Sequence, residues 1–250
     1  MRACSLAFAL VFLAGSCFAR ASDLASPRFD PGQFHHPLKI DNWLWAMWPG
    51  RRIVYGEIED QQCVANDFVV THKAKKDFRG IYRWIIARAV SDDAWADDDC
   101  DGGHDRLVER TTDWYAQDDA GNIWYLGEDT TEYFYDRAGH RVGSSKEGSW
   151  QAGRNGAAAG LVMLAHPRVG QRYRQEYLRG VAEDRAEVVA LGREVRIGIG
   201  RFSHCVVTRE WSPLSPGDVE FKTYCPNVGL VQVRQADGSG GAEALDLGLH

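Results

Sequence analysis

An all-β, antiparallel fold, barrel-like or sandwich, follows from three features of the chain. Short runs rich in Val, Ile, Tyr, Trp and Thr recur between clusters of Gly, Asp, Asn, Ser and Pro. No long segment shows the 3.6-residue periodicity of an amphipathic helix. Four cysteines remain after the N-terminal leader, an even set suited to stapling strands.

The leader comes first. Arg2 makes a positive start, Ser5 to Ser16 form a short apolar run, and Ala19-Arg20-Ala21 offers a small-x-small cleavage site before Ser22. This is a secretory signal peptide over residues 1–21; about a dozen apolar residues are too few to span a bilayer. Leu13-Ala14-Gly15-Ser16-Cys17 resembles a lipoprotein box with its aliphatic residue one position early, so lipid on Cys17 is the alternative to cleavage after Ala21. Export, to the periplasm or the exterior, is expected either way, with a membrane contact only if Cys17 is lipidated. Residues 22–39 are an N-terminal extension and 40–236 the β domain. Gly238-Ser239-Gly240-Gly241 then marks a C-terminal tail over 237–250 or a last connector.

Strands are expected over 52–58, 64–73, 80–91, 106–117, 122–127 and 131–136, then over 171–178, 186–191, 194–199, 204–211, 219–225 and 229–234. Asp118-Asp119-Ala120-Gly121-Asn122 is a hairpin turn. Residues 157–165, rich in Ala and Leu, read as one short helical turn. Two possible units, 48–136 and 168–235, echo each other. Pro49-Gly50-Arg51-Arg52 resembles Val169-Gly170-Gln171-Arg172, and Tyr115 with Gly121 and Ile123 resembles Tyr224 with Gly229 and Val231. The first unit is longer, which places an insertion in the acidic segment near 92–105. Two such units can pack as one barrel or sandwich.

Cys63, Cys100, Cys205 and Cys225 read as two disulfides in an oxidising compartment. Runs 203–211 and 219–225 flank a turn-rich connector. If Trp211 pairs with Val219, the register sets Cys205 opposite Cys225, and Cys63–Cys100 follows by elimination. Four buried thiols are the alternative.

Hydrophobic residues make up 44% of the chain, enough for a packed core. Without Arg2 and Arg20, 27 basic residues face 35 acidic ones, a net charge of −8, and no basic stripe for nucleic acid is visible. The sharpest motif is Asp97-Asp98-Asp99-Cys100-Asp101-Gly102-Gly103-His104-Asp105, which contains D-x-D-x-D-G, half of a calcium loop. Asp97, Asp99, Asp101, the Gly103 carbonyl and Asp105 are the candidate ligands. The closing Glu109 is one place late, because Val108 stands at the twelfth position. A solvated acidic loop tied down by Cys100 is the plainer reading. Calcium is the one cofactor expected.

Trp114, Tyr115, Trp124 and Tyr125 are candidate ligand-binding rings, able to stack on a sugar or line a pocket, or else simply core. Among the acids, Glu176 and Glu210 are the weak candidates for a carbohydrate-active hydrolase or lyase, which needs two carboxyls held in different protonation states. Ion pairing of such acids with Arg172, Arg174, Arg185 or Arg209 is the plainer expectation. No G-x-S-x-G elbow, Walker loop or H-E-x-x-H motif occurs.

Asp113-Trp114-Tyr115-Ala116-Gln117-Asp118, Gly121-Asn122-Ile123-Trp124-Tyr125-Leu126-Gly127-Glu128-Asp129, Tyr173-Arg174-Gln175-Glu176-Tyr177, Gly180-Val181-Ala182-Glu183-Asp184 and Val228-Gly229-Leu230-Val231 resemble a bacterial family of secreted or lipoprotein-type proteins. The resemblance covers most of 40–235 and implies no activity. The acidic Cys100 loop departs from the family's pattern. The sequence therefore leads to an exported, non-catalytic binding protein for a small hydrophobic molecule or a glycan. The carbohydrate-active enzyme is the first alternative and a structural envelope or surface protein the second.

Overall fold

The computed structural model describes residues 26–59, 62–75 and 85–249; the signal segment and Cys17 lie outside them. Fourteen strands among these residues form one antiparallel sheet. They are β1 Arg51–Glu59, β2 Gln62–Lys75, β3 Ala87–Asp97, β4 Arg106–Gln117, β5 Ile123–Tyr135, β6 Arg141–Ser145 and β7 Trp150–Gln151. The second half supplies β8 Gly160–Met163, β9 Arg172–Arg174, β10 Arg185–Ile197, β11 Gly200–Trp211, β12 Val219–Cys225, β13 Gly229–Gln235 and β14 Gly241–Leu249. The all-β expectation holds, and the sheet is open: its order runs β6-β5-β4-β3-β2-β1-β14-β13-β12-β11-β10-β9.

Two meanders are therefore joined at one seam, where β14 pairs with β1. At the other seam, the β6 and β9 edges do not pair among the described residues, and β7 and β8 lie against β5 instead. The two chain repeats make the same turn. Gly50 has φ 87° and donates its N–H to the Val70 carbonyl at 2.7 Å; Gly170 has φ 88° and donates to Val188 at 2.8 Å. Positive φ at both turns favours glycine, and each turn launches the first strand of its meander.

Trp45 shows how strongly the sheet curls. Strands β4 and β12 are six positions apart, about 29 Å in a flat sheet. Yet the Trp45 ring lies 5.9 Å from Tyr115 of β4 and 5.5 Å from Tyr224 of β12. The segment 40–47 fills the bend, burying Ile40, Leu44, Trp45 and Met47. It is fastened to both halves. Gln117 Oε1 accepts from the Asp41 and Asn42 N–H groups at 3.0 and 2.9 Å, and Asn42 donates to Gly121 and Leu164 carbonyls. On the other side the buried Arg51 guanidinium donates to the carbonyls of Ala46, Asn227 and Val228.

Both disulfides form, Cys63–Cys100 and Cys205–Cys225. Trp211 pairs with Val219, the register that sets Cys205 against Cys225. Paired cysteines fit an exported protein.

Four local expectations are corrected. Within residues 157–165, Gly160–Met163 make strand β8 in place of a helical turn: β5 supplies a ladder partner, which outweighs Ala and Leu propensity. Residues 241–249, expected as tail, are β14, held between β1 and β13 at the joining seam. Of the run expected at 80–91, residues 80–84 lie outside the described residues and the rest leads into β3 at Ala87–Asp97, which carries on into the acidic stretch, so the excursion is confined to 98–105. The pairs 122–127 with 131–136 and 186–191 with 194–199 fuse into β5 and β10: residues 128–130 pair with β4 in unbroken register, and irregular pairing with β11 carries β10 through 192–193.

Replacing the bend's central ring is expected to cost about 3–5 kcal/mol for Trp45→Ala. Trp45 Nε1 has no hydrogen-bond partner among the described residues, so Trp45→Phe is expected to lose far less. Equilibrium denaturation in urea compares the two; equal losses would show that the ring is not the packing centre.

Candidate functional site

The inner face of the curled sheet encloses a cavity of about 320 Å³ beside Trp45. Strand alternation delivers its walls. Glu109, Thr111, Asp113 and Tyr115 come from one face of β4, and Glu220, Lys222 and Tyr224 from one face of β12. Tyr55 and Glu57 come from β1, Asn66 and Phe68 from β2, and Asp92 from β3. Glu128, Gln175, Glu176, Asp184 and Glu210 complete the polar lining, so nine carboxyl groups share the cavity with one lysine. A second cavity of about 740 Å³ opens outward past Glu128, Glu176, Asp184 and Glu220.

A bulge places the key pair. Tyr125 and Glu128 are three apart on β5, yet they oppose Tyr115 and Asp113, which are two apart on β4. The extra residue falls at Gly127, whose φ is 128° and whose missing Cβ would sit 2.3 Å from the Trp150 carbonyl oxygen. Both side chains thus turn inward. The Tyr125 hydroxyl lies 2.5 Å from Asp113 Oδ1 and 3.1 Å from Glu128 Oε2. One hydroxyl proton cannot serve two carboxylates, so the trio is best satisfied when one carboxyl keeps its own proton. Tyr125 also stacks on Tyr115, with centroids 4.8 Å apart, and Trp150 packs edge-on behind it.

Burial weakens five of these acids, raising their pKa values. Desolvation first, then the charges of Glu109, Asp93 and Glu57, pushes Asp92 up to about 7, against a bond from Asn66. Desolvation likewise takes Glu128 to about 7. It lifts Asp113 and Glu176 well above the usual carboxylate range, each reinforced by neighbouring carboxylates, and raises Asp184 as well.

Glu210 differs in kind. Its Oε1 accepts from Thr208 at 2.6 Å and Tyr224 at 3.1 Å, and its Oε2 accepts from Gln175 at 3.0 Å. Lys222 Nζ lies 3.2 Å from Glu210 and 3.3 Å from Glu220. Burial alone would depress that ammonium, but the two carboxylates hold it above its ordinary value. Glu210 is an anchor with four partners, whereas Glu176 has no side-chain hydrogen bond or ion pair among those found for the described residues. The expected arginine pairing of these acids is corrected. Arg209 points away from Glu210, as neighbours on a strand must, and lies over Trp211; Arg174 lies over Tyr177, and Arg172 pairs with Glu187.

Of the four rings singled out in the sequence, Tyr115 and Tyr125 line the cavity, and Trp114 and Trp124 do not. Trp114 sits under the Lys75 ammonium, 3.2 Å from its centroid, and Trp124 donates to Asp118 and packs against Phe29. Glu176 and Glu210 both reach the cavity. In the acidic loop, carboxylate oxygens of Asp97, Asp99 and Asp105 lie within 4.8 Å of one another. Asp97 also accepts backbone N–H bonds from Asp101 and Gly102, and Asp105 accepts from Asp98. Asp101 and Gly103 belong to the same loop but not to that trio, while Glu109 faces the cavity on β4.

The sequence did not single out Asp92, Asp113 or Lys222 as site residues. A usable signal existed: acids or hydroxyls at alternate positions ending on a tyrosine, as in Glu109-Thr111-Asp113-Tyr115 and Glu220-Lys222-Tyr224.

The chain matches no family model and no curated protein. Among solved structures, a crystal structure from Parabacteroides distasonis described as a "putative lipoprotein" is similar at 12% identity and a TM-score of 0.40, covering 82% of this chain and 98% of its own. So distant a likeness assigns neither activity nor ligand.

The raised carboxyls set a pH dependence. Unfolded Asp and Glu titrate near 4, so between about pH 4 and 7 the folded protein holds protons that the unfolded chain has released. Their contribution is complete below the unfolded values and is lost as pH rises through 7. The Tm of the ligand-free protein is expected to be several degrees lower at pH 8 than at pH 5, with Asp92→Asn and Glu128→Gln each narrowing the gap. A Tm that climbs steadily over that range would contradict the protonated cavity.

Proposed function

We propose that this is an exported, non-catalytic binding protein whose small-molecule ligand occupies the cavity inside the curled sheet. The observation that carries the reading is an interior space of about 320 Å³, within the range of ligand pockets, walled by stacked aromatic rings and by hydrogen-bonding groups. A glycan would use the rings as platforms and the carboxyls as acceptors for its hydroxyls. A purely hydrophobic ligand is less well served, since it would strip water from nine carboxyl groups without replacing their hydrogen bonds. Cleavage after Ala21 would release the protein, and lipid on Cys17 would tether it.

The enzymatic reading has one specific observation in its favour. Burial raises Glu176 well above the usual carboxylate range, while the Glu210 side chain is engaged by Lys222, Thr208, Gln175 and Tyr224 in the same cavity. Two carboxyls in such different surroundings can divide acid and base roles. The four partners of Glu210 argue for an anchor.

Native mass spectrometry of protein purified from its own export compartment, followed by turnover assays on a polysaccharide panel, separates the classes. A retained small molecule with no turnover is the expected result. Turnover abolished by Glu176→Gln would replace the binding reading with the hydrolase or lyase.

Calcium on the acidic loop is a separate part of the proposal, supported by the convergence of Asp97, Asp99 and Asp105. Millimolar calcium is expected to raise Tm by a few degrees, and chelator or Asp99→Ala to remove the increase. No response would leave the loop held by its backbone hydrogen bonds and Cys63–Cys100 alone.

A further inference from the structure

We propose that the ligand is an organic diammonium or polyammonium ion, its methylene chain laid on the tyrosine rings and its ammonium heads on the cavity carboxyls. This rests on the reading that the cavity is the binding site, and names the chemistry that site selects.

The first argument is charge. The single ammonium lining the cavity, that of Lys222, is already engaged by Glu210 and Glu220. Asp92, Asp113, Glu128, Glu176 and Asp184 form no salt bridge among those found for the described residues. Burying that many carboxyls together is costly unless they keep their protons or a cation joins them, and above pH 7 the cation is the better remedy.

The second argument is an orphaned acceptor. Asp92 lines the cavity and is bonded by Asn66, but its Oδ1 has no hydrogen-bond partner among the described residues, and rotation of the carboxyl would turn that oxygen to the cavity. Buried polar atoms are ordinarily satisfied, and an exception marks a group waiting for something not in the protein. A carboxylate oxygen asks for a donor, and an ammonium brings up to three.

The third argument separates an organic cation from a bare metal. Among the described residues, three carboxylates close enough to share one ion converge only in the Asp97–Asp105 loop. The cavity carboxyls are spread around its wall, with Tyr115, Tyr125, Tyr224 and Trp45 between them. Dispersed carboxyls alternating with π-faces suit several cationic heads on an apolar stem, each head also drawn to a ring quadrupole. A hard metal ion needs six or more converging oxygens instead.

The probes are spermidine and 1,4-diaminobutane, against 1,4-butanediol as the neutral isostere, a short oligosaccharide and calcium chloride alone. Each is titrated by isothermal calorimetry into the full mature protein at pH 8. One-to-one binding of an amine is expected, with no binding of butanediol. Asp92→Asn and Glu128→Gln are each expected to weaken it about ten- to a hundredfold, the loss of one charge-assisted hydrogen bond. Glu147→Gln removes an exposed charge far from the lining and is expected to change affinity less than twofold. Circular dichroism and Tm of each variant establish that it folds. Amine affinity that falls equally in Glu147→Gln would reduce the effect to bulk charge and overturn the proposal. Binding of the oligosaccharide or diol in preference to the amines would overturn the ligand class while keeping the cavity as the site. Silence from every probe, with no retained small molecule in the native mass spectrum, would overturn both.

Discussion

The packing of one indole inside the bend of the sheet governs the rest of this molecule. Antiparallel meanders prefer to twist and spread, and nothing in their hydrogen bonding alone brings strands six positions apart within reach of one ring. Trp45 does so because the segment carrying it is bound on both flanks. Gln117 and Asn42 fasten it to the β4–β5 turn, and Arg51 fastens it to the β12–β13 turn. Tyr115 and Tyr224, which meet Trp45, are the matching residues of the two chain repeats. A single N-terminal segment thus serves two half-sheets at once, and the space left above it is the cavity.

That cavity is maintained against the usual rules of burial. A β domain of this size could fill its interior with Leu and Val. Here carboxyl groups occupy inward positions on β1, β3, β4, β5, β11 and β12. Raised pKa values on Asp92, Asp113, Glu128, Glu176 and Asp184 lower the cost, since a neutral carboxyl is far cheaper to bury than an anion. Protonation also makes Tyr125 a workable bridge between Asp113 and Glu128. The stability forgone is drawn against the packed lower core and two disulfides. Groups kept in an unfavourable state by a well-packed surround are a common mark of binding and catalytic sites.

The cavity's way out lies at one end of the curled sheet, where the β11–β12 and β13–β14 connections line the second, outward-opening space. β14 closes the joint with β1, whereas its counterpart β6 stops short and leaves the β9 edge unpaired with it. The short strands β7 and β8 cover β5 instead, and the outward-opening space passes Glu128, Glu176 and Asp184.

Periodicity and turn chemistry were enough to read the β class, the hairpin at 118–122 and the Cys205–Cys225 register, because each depends on neighbours along the chain or across one turn. Cys63–Cys100 followed from counting. The candidate site was legible only in fragments: Tyr115, Tyr125, Glu176 and Glu210 were visible as residues of interest, without any reason to group them. Tertiary structure decided that grouping. A bulge at Gly127 turned Tyr125 and Glu128 to the same side, strand parity sent Trp114 and Trp124 to the other, and the curl brought β4 and β12 face to face. Residues 160–163 and 241–249 became strands because partners distant in sequence offered them ladders. Local sequence sets which way a side chain points relative to its neighbour, but only sheet curvature decides whether that direction is inward, and so whether an aspartate is a solvated surface charge or a buried acid waiting for a cation.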